Sequence, residues 1–295
     1  MRSYLFVPGD SEKKLAKGLG SEADVLLIDL EDSVALSNKA EARKIAAAFV
    51  KTNRDQKDRP LLFVRVNALD TGLTDEDLTE IIPAAPDGIM VPKTLSGQCI
   101  TRIDAKVTAQ EALAGIPEGS IKLMAVATET ASSIFTLGTY GGSSPRLSAL
   151  TWGAEDLSAD LGAETNKDDD GNLTSPYKLV RELCLFGSVA AGVQPVDSIY
   201  ANFRDMDGLR AEATTARRDG YTGKMAIHPA QVSIINDVFT PSDLAISQAK
   251  RIIAAFGDAG DIGVIGLDGE MLDRPHLRRA ETVLQRAKSA GISVD

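Results

Sequence analysis

The stretch Asp24-Val-Leu-Leu-Ile-Asp29 runs directly into Leu30-Glu-Asp32, so that four consecutive apolar residues are followed by three carboxylates within four positions. An unbroken apolar run of this length is typical of a parallel strand whose two faces are both covered by helices. The carboxylates are costly to place together unless a cation, water or an arginine compensates their charge. The stretch therefore predicts a buried parallel strand with a polar site at its carboxyl end.

Seven further segments read as strands, and helical segments separate them. The additional strands are predicted at residues 4–7, 61–66, 88–92, 121–126, 147–151, 196–199 and 223–227. Between strands, apolar residues recur three and four positions apart, as in a helix that packs one face on a sheet. Eight strands alternating with helices predict a (β/α)8 barrel over residues 1–240, but alternation alone also fits a doubly wound open sheet.

Polar side chains favour the barrel, because they mark strand ends all round the predicted fold. In a barrel these ends converge on one mouth, whereas in an open sheet they would be strung along an edge. The residues concerned are Glu31, Arg65, Lys93, Glu129, Asp156 and His228. We therefore expect a (β/α)8 TIM barrel whose mouth holds the active site.

Residues 241–295 have a different character. A helix is predicted to start at Pro241, and a glycine-rich strip over 257–269 follows it. The segment Glu270-Met-Leu-Asp273 then leads into a last helix at 276–290. Because so short a segment cannot enclose a core of its own, we expect a C-terminal helical lid that packs on the barrel or on a neighbouring subunit.

Composition argues against several classes of partner, although a local basic pocket for a phosphorylated ligand stays open. The 295-residue chain has 32 Lys plus Arg against 42 Asp plus Glu, and this net charge of −10 argues against nucleic-acid and anionic-membrane partners. Pro8 ends the first apolar run too early for a signal peptide, and no segment approaches the ~20 apolar residues of a membrane span. Cys99 and Cys184 are too few and too far apart to predict a disulfide framework. We expect a cytoplasmic protein.

Two carboxylates at the predicted mouth indicate a metal. Glu129 and Asp156 follow the fifth and sixth predicted strands. Magnesium accepts so sparse a set, because it retains waters and binds substrate oxygens at its other positions. Asp156 has an alternative interpretation as a cap of the helix that begins near Leu157.

Two cations lie near the same mouth. Arg65 interrupts an apolar strand, and its planar fork either holds the carboxylate of a substrate or forms a structural salt bridge with the 29–32 cluster. Lys93 follows the fourth strand, where it either forms a Schiff base with a keto acid or lies at the rim. The residues alone predict a magnesium-dependent enzyme that acts on a small dicarboxylate or keto acid.

A series of motifs, in order along nearly the whole chain, resembles the HpcH/HpaI aldolase and citrate lyase β-subunit family, in particular its CitE-like, malyl-CoA lyase and citramalyl-CoA lyase members. Each motif is weak by itself, whereas their order and spacing are specific. The motifs are Arg2-Ser-Tyr-Leu-Phe-Val-Pro-Gly9, Asp29-Leu-Glu-Asp-Ser-Val34, Val64-Arg-Val-Asn67, Val91-Pro-Lys93, Glu129, Gly153-Ala-Glu-Asp-Leu157, Gly223-Lys-Met-Ala-Ile-His-Pro-Ala-Gln231 and Gly269-Glu-Met-Leu-Asp273.

The resemblance implies a barrel of the phosphoenolpyruvate/pyruvate type that binds Mg²⁺, with Mn²⁺ as the alternative metal. The implied metal ligands are Glu129 and Asp156, while Glu31 and Asp32 contact the waters of the metal. Arg65 matches the arginine that binds the substrate acid beside Glu129 and stabilises the developing enolate. The residues that match contacts to coenzyme A are Phe6, Lys17, Ile227 and His228.

The implied reaction is a reversible Claisen-type cleavage of a 3-hydroxyacyl thioester into acetyl-CoA and a keto acid. Asp273 matches the acid/base aspartate of the lid, which often serves the adjacent subunit; without the resemblance it would be interpreted as a helix cap. Lys93 has no Schiff-base role in such a family. The resemblance leaves open which thioester is the substrate. It also leaves open a thioesterase activity, or a subunit role in a citrate lyase complex that acts on a carrier-protein thioester. The resemblance suggests a homotrimer or hexamer.

Overall fold

Eight parallel strands form a closed barrel in the computed structural model, which describes residues 1–260 and 263–294. Each strand pairs with its sequence neighbours, and the first also pairs with the eighth. The predicted (β/α)8 barrel is thus confirmed. The strands are β1 Ser3–Pro8, β2 Val25–Asp29, β3 Leu61–Arg65, β4 Gly88–Val91, β5 Lys122–Val126, β6 Leu147–Thr151, β7 Gln194–Asp197 and β8 Gly223–Ala226.

Helices follow the strands and cover the barrel. They are α1 Glu12–Leu19, α2 Lys39–Asn53, α3 Thr74–Ile81, α4 Gly97–Ala114, α5 Ala131–Ile134, α6 Glu155–Leu161, α7 Ser175–Ala190, α8 Met206–Asp219, α9 Pro229–Phe239, α10 Asp243–Ala259 and α11 Arg274–Ser289. Short 3-10 turns lie at Leu36–Asn38, Leu69–Thr71, Ile82–Ala84 and Leu137–Thr139. Within the described part of the chain, no helix combines the length and the apolar character needed to cross a membrane.

Alternation along the strands divides the core into two layers. In β2, Val25 and Leu27 point into the barrel, whereas Leu26 and Ile28 face the helices. Both sets are buried, which explains why the strand is apolar throughout. Gly88 lets the ring of Phe63 fill the barrel, because a Cβ at Gly88 would lie 2.3 Å from that ring.

The C-terminal extension contains a hairpin that the sequence analysis did not predict. Strands β9 Val264–Leu267 and β10 Glu270–Asp273 pair antiparallel, and α10 and α11 pack on each other. The turn between the strands has Asp268 at φ 55° and Gly269 at φ 83°, which are the left-handed angles that a tight hairpin needs. The extension is therefore not purely helical. The division of the chain into a barrel at 1–240 and a lid at 241–295 stays a prediction.

Candidate active site at the barrel mouth

A cavity of about 450 Å³ opens at the carboxyl ends of the strands. All eight strands, or the turns directly after them, contribute to its wall, as expected for the functional end of such a barrel. We call it the mouth cavity. It is lined by Phe6, Asp29, Asp32, Arg65, Met90, Val126, Glu129, Thr151, Trp152, Asp156, Ser198, Met225 and Ile227, among others.

Four carboxylates at the mouth converge on Lys93. Its Nζ lies 2.6 Å from Glu31 Oε1 and 3.4 Å from both Asp32 Oδ1 and Asp156 Oδ1. The backbone N–H of Lys93 donates to Glu129 Oε2. Although burial opposes its charge, the contact with Glu31 raises the pKa of Lys93 above its usual value. Lys93 is thus a cation inside the carboxylate cluster, which neither the Schiff-base nor the rim interpretation describes.

Arg65 divides its guanidinium between two partners. Nε and Nη2 form a fork on Asp29, at 2.7 and 2.8 Å, while Nη1 lies 2.8 Å from Glu31 Oε2. The guanidinium also stacks 4.9 Å above the ring centroid of Phe6. Burial disfavours the charge of Asp29, but the fork from Arg65 lowers the pKa of that carboxyl overall. The structural salt bridge is present, and it orients Arg65 at the wall of the mouth.

Glu129 is a deeply buried carboxylate of the cluster. Its exposure is 4%, and burial, assisted by the charges of Glu31 and Asp156, raises its pKa to about 8. Gly153 makes room for it, because a Cβ at Gly153 would lie 2.8 Å from Glu129 Cγ. A metal ion bound by Glu129 would have to displace this proton.

Asp156 does not cap its helix. Helix α6 begins at Glu155, with Ala154 at the N-cap and no side-chain cap there. The Asp156 carboxylate instead faces the mouth with 37% exposure and contacts Lys93. Its place in the first turn of α6 brings the carboxylate near the positive partial charge of the helix N-terminus.

The donor set fits a magnesium ion held by few protein ligands. Among residues 1–260 and 263–294, no three or more His, Cys, Asp or Glu side chains surround a common metal position. Magnesium needs only one or two carboxylates if water and substrate complete its coordination. Glu31 Oε2 is buried without a well-directed hydrogen bond, despite the nearby Arg65, so it can accept from a metal-bound water. Glu129 and Asp156 are the residues that would hold the ion.

The residues expected to contact coenzyme A occupy different places. Phe6 and Ile227 line the mouth cavity. His228 is the N-cap of α9, where its Nδ1 accepts from the N–H of Ala230, and its ring stacks on Phe203 at 5.1 Å. Lys17 lies exposed in the last turn of α1 and does not line the mouth cavity. Their roles stay predictions.

Asp273 is the N-cap of α11, as the capping interpretation expects. Its Oδ1 lies 2.5 Å from His276 Nδ1, and this hydrogen bond lowers the pKa of Asp273. The wall of the mouth cavity contains no described residue from the extension after residue 240. Asp273 therefore does not reach the mouth of its own barrel in this conformation.

A sequence model of HpcH/HpaI aldolase/citrate lyase proteins matches residues 2–229, which include the entire barrel mouth. The chain belongs to this HpcH/HpaI family. This membership confirms the resemblance that the motifs indicated.

Relatives within the HpcH/HpaI family carry different activities in their names. The chain is 36% identical to a (3S)-malyl-CoA thioesterase of Cereibacter sphaeroides over 98% of this chain and 95% of that protein. It is 33% identical to an L-malyl-CoA/beta-methylmalyl-CoA lyase of the same species, over 97% and 94%. A citrate lyase subunit beta of Haemophilus influenzae is also 33% identical, over 98% and 97%.

A solved relative shares the HpcH/HpaI fold. The CitE protein of Mycobacterium tuberculosis in complex with magnesium, acetoacetate and coenzyme A superposes with a TM-score of 0.76 and 28% identity. The match covers 97% of this chain and 98% of that one. The fold similarity thus extends through the C-terminal extension.

Sequence reasoning missed a buried ionic network beside the mouth of this HpcH/HpaI protein. Trp152 lines the mouth, and its Nε1 donates to Asp197 at 2.8 Å. Asp197 also accepts from Lys224 Nζ at 2.7 Å and from Arg181 Nε at 3.1 Å. Lys224 gave a usable signal, because it is a charged residue inside an apolar strand, as Arg65 is.

The raised pKa of Glu129 predicts a pH effect on the metal-free protein. Between the usual value of 4.5 and about 8, the folded state holds a proton that the unfolded state has lost. The free energy of unfolding should therefore fall as the pH rises through this window, while affinity for Mg²⁺ should increase. Thermal unfolding in chelator and calorimetric titration, each at about pH 6 and about pH 8, test both trends. Glu129→Gln should weaken them, and equal trends in both proteins would contradict the assignment.

Proposed function

We propose that this protein is a magnesium-dependent carbon–carbon lyase that cleaves or forms a 3-hydroxyacyl-CoA such as malyl-CoA, citramalyl-CoA or citryl-CoA. The products of cleavage are acetyl-CoA and a keto acid. The observation that carries the proposal is the joint placement of Glu129, Asp156 and Arg65 in one cavity. The lyase relatives and the magnesium-bound CitE structure support it.

The residues divide the chemistry between them. Magnesium held by Glu129 and Asp156 would supply positive charge next to the carbonyl of the keto acid. Arg65 Nη1 is oriented by the fork on Asp29, and it would bind the oxygen on which enolate charge develops. A base removes the hydroxyl proton, the carbon–carbon bond breaks, its electron pair forms the thioester enolate, and protonation of the enolate carbon gives acetyl-CoA.

Product analysis tests this reaction. Purified protein is incubated with malyl-, citramalyl- and citryl-CoA in Mg²⁺, and free thiol, acetyl-CoA and keto acid are measured together. A lyase gives acetyl-CoA and keto acid in equal amounts without free thiol. Free thiol without keto acid would contradict the lyase and support the second candidate, a malyl-CoA thioesterase, which the 36% identity to such an enzyme favours.

A subunit role in a citrate lyase complex is the candidate from a different class. The similarity to a citrate lyase subunit beta supports it, with a carrier-protein thioester as the substrate. The isolated chain would then be inactive on every coenzyme A thioester and active on the carrier-bound citryl group. Activity of the isolated chain on a coenzyme A thioester would show that it needs neither a carrier protein nor the other subunits of a complex, and would contradict this candidate.

Asp273 is the proposed acid/base residue, and it would serve a neighbouring subunit because it does not reach its own mouth. A homotrimer or hexamer would bring the lid of one subunit to the barrel of the next. Asp273→Asn should lower kcat about a hundredfold, the usual contribution of a positioned acid or base. Asp268→Asn is the matched control, since it changes an aspartate of the same hairpin at a left-handed position that asparagine accepts.

Mixed oligomers decide where Asp273 acts. Subunits with Asp273→Asn are refolded together with subunits that carry Glu129→Ala, and the activity of the mixture is compared with the low activity of each variant alone. Recovery of activity in the mixture supports action across the interface. If the mixture stays inactive although mixed oligomers form, Asp273 acts within its own subunit.

Lys17 is the proposed contact to the phosphates of coenzyme A. Lys17→Ala should raise KM for the thioester about fivefold and leave kcat within about twofold, because an exposed charge pair contributes about 1 kcal/mol. Lys14→Ala removes an exposed charge from the same helix and is the control. Equal KM values for both variants in steady-state kinetics would exclude Lys17 as a contact to coenzyme A.

We also propose that the protein is cytoplasmic, in keeping with its two free thiols.

A further inference from the structure

Lys93 occupies the point where the carboxylates of the mouth meet. The contacts of its ammonium to Glu31, Asp32 and Asp156 leave the cluster partly neutralised in the absence of a metal. Arg65 supplies a second positive charge, but its fork is engaged with Asp29. Lys93 therefore contacts both proposed metal ligands, Asp156 through its ammonium and Glu129 through its backbone N–H.

The backbone of Lys93 is left-handed, with φ at 50°. A side chain other than glycine or asparagine is unfavourable at such an angle, so glycine would be easier to accommodate there. The conformation turns the N–H of Lys93 to Glu129 and its side chain to Glu31. One residue thus contacts Glu129 through its backbone and Glu31 through its side chain, and the strain of its backbone is located at the site.

We propose that Lys93 is a resident cation of the mouth: it positions the carboxylates while no metal is bound, and it sets the affinity for magnesium by competing with the ion. This inference rests on the proposed magnesium site. A compact ammonium with three rotatable donors can change partners among these carboxylates. Its positive charge repels a second cation within the same few ångströms, so binding of magnesium is weaker with Lys93 than without it.

Three variants separate the parts of this role. Lys93→Gly removes the ammonium and keeps the backbone N–H at a left-handed angle that glycine adopts freely. Lys93→Arg keeps the charge. Lys122→Gln is the control for net charge, because Lys122 is exposed at the first residue of β5, at the end of the barrel opposite the mouth.

Magnesium affinity and metal-free stability are measured by calorimetric titration and by thermal unfolding in chelator. We expect Lys93→Gly to bind Mg²⁺ about tenfold more tightly and to unfold at a lower temperature in chelator, although glycine relieves backbone strain. Lys93→Arg should stay within about threefold of the wild type in affinity, and Lys122→Gln should not change either quantity.

The outcomes distinguish this inference from the proposed function. If the wild type binds magnesium and Lys93→Gly binds it equally or more weakly, the resident cation is overturned and the metal site stands. An unchanged unfolding temperature of Lys93→Gly in chelator overturns the positioning role in the same way. If the wild type binds no magnesium, the proposed metal site itself is wrong, and the proposed competition between Lys93 and the metal is wrong as well.

Discussion

The double substitution Glu129→Ala, Asp156→Ala is expected to lower kcat/KM for thioester cleavage by about 10⁴-fold, which corresponds to about 5 kcal/mol of lost transition-state stabilisation. These are the two side chains through which the mouth would hold a metal, and both line the same cavity as Arg65. Steady-state kinetics with saturating Mg²⁺ measure the loss. Calorimetric titration should show no magnesium binding.

Glu155→Gln is the matched control for this variant. Glu155 is adjacent to Asp156, and its carboxylate accepts a hydrogen bond from Asn166 at 2.9 Å. We expect its activity to stay within about threefold of the wild type, as for a surface substitution. If the double variant keeps magnesium-dependent activity, the metal is held elsewhere and the assignment of both ligands is wrong.

Arg65→Lys should reduce kcat about 10³-fold, at the upper end of the effect of removing one charge-stabilising donor. Lysine keeps a positive charge beside the buried Asp29, so the protein should remain folded, but it cannot form the fork and present a third nitrogen at once. Kinetics with each thioester measure the change, and circular dichroism verifies the fold.

Arg59→Lys controls for the loss of a fork as such. Arg59 forms a comparable two-nitrogen contact with Asp87, at 2.6 and 3.2 Å, and it precedes β3 at the end away from the mouth. Its substitution should lower stability and leave kcat unchanged. If both variants lose activity equally, the effect of Arg65→Lys reflects stability and not catalysis.

The barrel could be predicted because its strands are chemically uniform. The run Val25–Ile28 is buried on both faces of the sheet, and burial on both faces requires an apolar residue at each of its four positions. The hairpin at Val264–Asp273 could not be predicted in this way, since its strands are mostly exposed and carry little apolar alternation. Its turn at Asp268-Gly269 was the available signal.

The site was predictable as far as strand ends could be located. Glu129, Asp156 and Arg65 were assigned from their positions after or within strands, and the structure brings them to one cavity. The position of Lys93 among the carboxylates depends on a left-handed backbone angle, which the sequence pattern around Val91-Pro-Lys93 does not predict. The roles of individual residues stay predictions until the variants are measured.

The pairing between β2 and β3 places Asp29 directly opposite Arg65. Because side chains alternate along a strand, a slip of one residue would turn Arg65 from the mouth to the helix layer. The register of the hydrogen bonds between β2 and β3 therefore determines the position of the Arg65 guanidinium at the mouth. During folding, a collapsed chain with its helices formed but its strands misaligned would have neither the fork nor the mouth, so competence for chemistry arises only when the strands reach register.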